Sequence, residues 1–269
     1  QPDAEADDKA AGILVAAFPV IVAAYWRLLN GHEPIAAHDE LPHAANFLYM
    51  LDGQVPSEAR VRALDTYLNT VIDHGFNAST FTARVIASTH SDIVSAIVGA
   101  IGALKGPLHG GAPGPALDMV FEIGESDQAE AVLRQKLDAG ERLMGFGHRV
   151  YKVRDPRADV LNTAAEEFFA EGDQRKLYDL ARHVEATALD LLEEYKPGRR
   201  LQTNVEFYTA LVLHGVGLDS ALFTPTFAIS RVGGWTAHAL EHRHEGRLLR
   251  PLAAYSGKTG RVWQPISQR

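Results

Sequence analysis

The sequence predicts an all-α protein. Apolar residues recur at spacings of three and four along most of the chain, and no segment shows a convincing period-two alternation. In chain order, the first element is the apolar run from Ile13 to Trp26. It holds 14 residues and Pro19, short of the about 20 that span a bilayer, so a buried helix is expected rather than a membrane segment. Asp3, Glu5, Asp7 and Asp8 precede it, whereas a secretory signal carries positive charge there. Residues 1–12, acidic and alanine-rich, read as a loose end.

Val61, Leu64, Leu68, Val71 and Ile72 mark a helix entered through Pro56-Ser57. Ile93 to Leu104 is apolar all round and rich in small residues: Ala96, Gly99, Ala100, Gly102 and Ala103. That suits a central helix or a helix at a subunit interface. Val132, Leu133 and Leu137 mark the next, with Ser126 or Asp127 as N-cap and Gly140 as the stop. Val160, Leu161, Ala164, Ala165 and Phe168 follow, closed by Gly172. Leu177, Leu180, Ala181, Val184, Ala188, Leu191 and Tyr195 form the most regular face, stopped by Pro197-Gly198.

Composition narrows the function. The 269 residues are 46% hydrophobic and 22% charged, which excludes disordered and collagen-like classes. The net charge of −8 makes a nucleic-acid partner a poor expectation. The absence of cysteine removes thiolate metal sites and cysteine nucleophiles. A cytoplasmic protein is expected, with no nucleic acid and no membrane as partner.

Glycines cluster at 106–114, at 145–147 and at 233–234, as candidate hinges or ligand-approach loops. None fits a phosphate-binding loop. Three histidines sit in or beside such stretches: His74, His109 and His148. Glycines beside a histidine let a substrate reach it. Arg157, Arg231 and Arg250 carry forks that suit bidentate carboxylate binding. Glu206 lies in the apolar-aromatic stretch Asn204–Tyr208, where partial burial would raise its pKa and suit it to general-base work. His238 and His242 are spaced as zinc ligands can be, but no third ligand is evident. A polar helix end is the expectation, with no metal.

These stretches resemble the citrate synthase family. ANFLYMLDG at 45–53, HGFNAS at 74–79, GPLHGGA, GFGHRVYK followed by DPR, NVEFY, and SRVGGWTAHALEHR followed by LLRP resemble its motifs, in the family's order, between about residues 12 and 258. The resemblance implies a mostly α-helical dimer of two-domain subunits. Residues 1–110 and 218–269 would form the large domain, without its N-terminal part, and 111–217 the small domain. The implied reaction condenses acetyl-CoA with oxaloacetate and water to citrate and CoA, using no metal or prosthetic group; the acyl-CoA is a co-substrate.

By the same resemblance, Glu206 is the base. His109 hydrogen-bonds the thioester carbonyl as the enol forms, and His148 polarises the oxaloacetate ketone. Arg157, Arg231 and Arg250 clamp carboxylates, with Arg250 reaching into the partner subunit's site. His74 and Asn77 border oxaloacetate. Lys152, Gly145, Phe146 and Gly147 face CoA. The commonest family motif has aspartate where this chain has Glu206, and Asn-Glu near Gly111–Gly114. A 2-methylcitrate synthase using propionyl-CoA, and a non-catalytic paralogue binding dicarboxylate or CoA, are the alternatives.

Overall fold

The computed structural model describes residues 3–110, 113–147, 155–170 and 173–268. They form eleven α-helices: α1 (Ala4–Leu29), α2 (His43–Asp52), α3 (Glu58–Thr70), α4 (Ala78–Ala87), α5 (Ile93–Leu104), α6 (Pro113–Ile123), α7 (Ala129–Asp138), α8 (Pro156–Phe168), α9 (Asp173–Tyr195), α10 (Val205–Gly215) and α11 (Phe223–Glu245). Among the described residues there is no strand, and the only β feature is an isolated antiparallel bridge between Phe146 and Thr203. The all-α expectation holds.

Several helices start on a side-chain cap. Ser57, Asn77, Asp92, Asp155 and Asn204 each accept from a backbone N–H in the first turn that follows. Pro156 then occupies the first turn of α8, where its missing N–H costs nothing.

Helix α11 is the centre of one group, packed on α1, α3, α4 and α5. Its buried residues include Phe227, Arg231, Val232, Trp235 and Ala239. Helices α6 and α8 pack on α10, and α7 packs on α9. Helix α3 joins the two groups by touching α8 and α10 as well as α11. There, Arg60 donates from Nε and Nη2 to Val216 O, at 3.1 and 2.9 Å.

Five expectations change. Residues 4–12 are helix, not a loose end: Asp3 caps Ala6 N at 3.2 Å, and Asp7 is buried against Arg243 at 2.8 Å. Acids in a first helical turn also meet the positive end of the helix dipole. The run from Ile13 to Trp26 buries one face only, through Phe18, Pro19 and Ala23, while Ile13, Val20, Ile21 and Tyr25 are exposed. By length and composition α1 is apolar enough to cross a membrane; its buried face packs on α2, α5 and α11. Helix α5 likewise buries Ile93, Ala96, Ile97, Ala100 and Leu104 but exposes Val94, Val98 and Ile101.

Ser126 and Asp127 open a 3-10 turn ahead of α7 instead of capping it. Gly233 and Gly234 lie inside α11 and form no hinge. They are small because a Cβ at Gly234 would strike Ile72 O, so α11 presses on the chain just after α3. Gly172, expected to close the helix before α9, lies outside the described residues.

Candidate active site

One face of α11 lines the site. Phe227, Arg231, Trp235 and His238 are spaced by four, four and three, so they stack along one side of the helix. Arg231 is 1% exposed and donates from Nε to Val71 O at 2.8 Å. Its guanidinium lies 4.6 Å from the centre of the Phe227 ring. Burial, then the charge of Arg157, pushes its pKa down to about 10, which leaves it a cation at neutral pH.

One turn on, Trp235 Nε1 donates to Ser79 Oγ at 3.0 Å. Ser79 Oγ is 2.8 Å from Asn77 Oδ1 and 2.7 Å from His109 Nε2. The indole only donates, so Ser79 accepts from it. Its one hydroxyl proton then goes either to Asn77 or to His109, and that choice sets which nitrogen of His109 carries a proton. Burial, then Arg231, lowers the His109 pKa, so the ring is neutral at pH 7. A neutral imidazole fixed on one nitrogen is suited to polarising a carbonyl with the other.

The opposing wall comes from the start of α10. Asn204 caps Glu206 N at 3.0 Å. Asn204 also bonds the glycine turn, its N–H donating to Gly145 O at 3.0 Å and its Nδ2 to Gly147 O at 2.8 Å. Gly147 N donates to Gln202 O at 2.7 Å. Gly145 and Gly147 have φ of +89° and +81°, and a Cβ at Gly145 would run into Phe207. These two glycines are required by backbone conformation and close approach.

Burial pushes the Glu206 carboxyl up to about 7; Arg157 and Arg231 oppose that rise and Asp155 adds to it. Tyr67, fully buried on α3, shares the same neighbours: burial and Glu206 raise its pKa while Arg231 and Arg157 lower it. Arg157 donates to both oxygens of buried Asp155, at 3.1 and 2.7 Å, so its fork is braced by the protein itself.

The structure thus gathers His109, Arg157 and Glu206 around Arg231, with Asn77 reached through Ser79 and the Gly145–Phe146–Gly147 turn held by Asn204. His74 is half-buried on the turn between α3 and α4. Arg250 lies elsewhere, exposed on the extended tail after α11 and donating to Pro251 O at 3.0 Å. His148 and Lys152 lie outside the described residues. His238 and His242 face different partners, Asp73 and Arg247 O, at 3.1 and 2.9 Å.

Ser79, Trp235 and Tyr67 escaped the sequence reading as site members, although Ser79 closes the HGFNAS stretch. Three cations did too. Arg142, Lys196 and Arg199 line a hollow of about 400 Å³ beside Leu143, Phe146 and Gly147. Of the three, only Arg142 lies beside the glycine turn in the sequence; the fold brings Lys196 and Arg199 to it, and the three cations suit an anionic ligand.

A cationic fork, a half-buried carboxylate of raised pKa and a hydrogen-bonded neutral histidine define an enzyme site for a small anionic substrate. Comparison with known proteins specifies the class. The family described as citrate synthase, C-terminal domain, matches residues 1–252. Citrate synthase 2 of Bacillus subtilis is 45% identical over 98% of this chain and 69% of its own length. A 2-methylcitrate synthase of Mycobacterium tuberculosis is 42% identical over 97% and 65%. The ternary complex of citrate synthase from Thermoplasma acidophilum with carboxymethyl coenzyme A and oxaloacetate superposes with a TM-score of 0.87 at 31% identity, over 98% of this chain and 70% of that one. The chain belongs to the citrate synthase family and is a citrate synthase-type enzyme. It spans about two thirds of the length of these three proteins.

Proposed function

We propose that this chain condenses acetyl-CoA with oxaloacetate and water, giving citrate and CoA. The observation that carries the reading is Glu206: a carboxyl with a pKa of about 7, placed among Arg157 and Arg231. The methyl group of acetyl-CoA is a poor carbon acid, and a carboxylate of raised pKa is the stronger base for it. Glu206 takes the methyl proton while His109 donates to the thioester oxygen, so the enol forms against a fixed donor. The enol carbon attacks the ketone of oxaloacetate, and His148 delivers a proton to the alkoxide. Water then cleaves the thioester, releasing citrate and the CoA thiol.

Arg231 and Arg157, with His74 and Asn77, hold oxaloacetate. Gly145, Phe146, Gly147 and Lys152 take the CoA, and Arg142, Lys196 and Arg199 meet its phosphates. Residues 111–217 act as a small domain closing on a large domain of 1–110 and 218–269. The chain works as a homodimer in the cytoplasm. The open apolar side of α5, with Phe81 of α4 and Leu108, is the face for the second copy, and Arg250 completes the partner subunit's site. Exposed apolar area of this kind supports an interface.

A 2-methylcitrate synthase using propionyl-CoA is the second reading, favoured by the Mycobacterium tuberculosis relative. One methylene in an apolar pocket is worth only about 1–3 kcal/mol, so both acyl groups can be accepted. The test is CoA thiol release with oxaloacetate and either acyl-CoA. The chain has no cysteine, so a thiol reagent reports product alone. Turnover confirms the enzyme, and the ratio of kcat/KM values assigns the acyl group. A folded protein with no turnover on either would be a non-catalytic paralogue.

A further inference from the structure

We propose that His238, held between Arg84 and Asp73, is a positioning residue for the turn that carries His74 and Asn77, and so sets affinity for the dicarboxylate. The inference rests on the proposed function, which gives that turn to oxaloacetate. His238 continues the row of α11 side chains one turn beyond Trp235. Its Nδ1 lies 2.8 Å from Nη1 of Arg84. A guanidinium has no acceptor, so Nδ1 must accept and the ring proton sits on Nε2. Nε2 then donates to Asp73 Oδ1 at 3.1 Å.

The other oxygen of Asp73 accepts from Gly75 N at 3.1 Å. Gly75 O in turn accepts from Asn77 N at 2.9 Å. Asn77 caps α4, and Arg84 lies seven residues along that helix. The connections therefore close into a ring: α4, Arg84, His238, Asp73, Gly75, Asn77 and α4 again. Arg84 also pairs with Glu241 and lies 4.7 Å from the centre of the Phe76 ring. Burial alone would raise the Asp73 carboxyl, but the Gly75 N–H and His238 hold it below the usual range. The turn is also pressed from behind, since a Cβ at Gly234 would meet Ile72 O and Asp73.

The histidine supplies one donor and one acceptor. Glutamine supplies the same pair, while leucine fills similar space with neither. The test compares wild type, His238→Leu and His238→Gln. It reads oxaloacetate affinity by calorimetry, KM for each substrate, and hydrogen exchange at the Gly75 and Asn77 amides without ligand. His238→Leu is expected to weaken oxaloacetate about tenfold, the worth of one hydrogen bond in a fixed network. It should speed amide exchange in the turn and leave the acyl-CoA KM within about twofold. His238→Gln should recover most of the loss. If His238→Leu does not fold, His238→Asn, too short to reach both partners, takes its place. Unchanged affinity with unchanged exchange would overturn the proposal. So would a glutamine variant as impaired as leucine, or both KM values rising together. Wild type that fails to bind oxaloacetate would instead overturn the functional reading, and the exchange data alone would then decide whether His238 orders the turn.

Discussion

The wall of the site around Arg231 and the wall around Glu206 are held in different ways. Arg231 and Trp235 project from one long buried helix, and each is fixed by a side-chain hydrogen bond to a neighbouring element. Glu206 sits at the first turn of α10, placed by the local turn: the Phe146–Thr203 bridge, the side-chain cap of Asn204 and two left-handed glycines. The first wall resists movement because helix packing would have to give with it. In the second, the glycine turn can shift by changing a few hydrogen bonds, while Glu206 stays on α10, where Val205, Phe207 and Tyr208 are buried. A site that must admit one substrate and then close for a second benefits from this asymmetry.

The largest expected effect tests what each wall does. Glu206→Gln keeps the shape and removes the base, so turnover should fall about a thousandfold with oxaloacetate binding retained. Kinetics and calorimetry on the same preparation check it. Arg231→Leu should instead weaken oxaloacetate about a hundredfold, because a buried charge loses its role in binding an anion. Arg231 holds the Glu206 pKa down, so its removal should also move the acid limb of the rate profile to higher pH.

Gly145→Ala probes the turn-held wall. A Cβ there meets Phe207 and must adopt φ of +89°, a strain of about 1–3 kcal/mol. The acyl-CoA KM should rise about tenfold while oxaloacetate affinity stays near wild type; equal effects on both would erase the distinction between the walls. Ser79→Ala should give the smallest change, about fivefold in kcat, as Trp235 and His109 lose their shared partner. Stability supplies a further check on Glu206. Its carboxyl stays protonated in the folded state up to about pH 7, whereas the unfolded chain ionises it lower. Its contribution therefore declines as pH rises from about 4.5 through 7. Glu206→Gln should raise Tm relative to wild type at pH 8 and change it little at pH 5.

Much of this was legible in the sequence. The faces of α3, α8 and α9 follow from apolar spacing, and His109, Arg231 and Glu206 stand out by their neighbours. Long-range partnership was not legible. Asp7 looked like part of a loose acidic end because Arg243 is far away in sequence. Gly233 and Gly234 looked like a hinge, since glycine looks the same whether it bends a chain or admits a neighbour. Ser79 and Trp235 carry no signal alone; their meaning comes from Ser79 lying between Trp235 and His109 in space.

The most direct test of the account is the pH dependence of kcat/KM for acetyl-CoA at saturating oxaloacetate. With Glu206 as the base, the rate rises with pH through a single ionisation near 7, above the lowered pKa of His109. A profile flat between pH 5.5 and 8.5, or one turning at the ordinary carboxylate value of about 4.3, would contradict it.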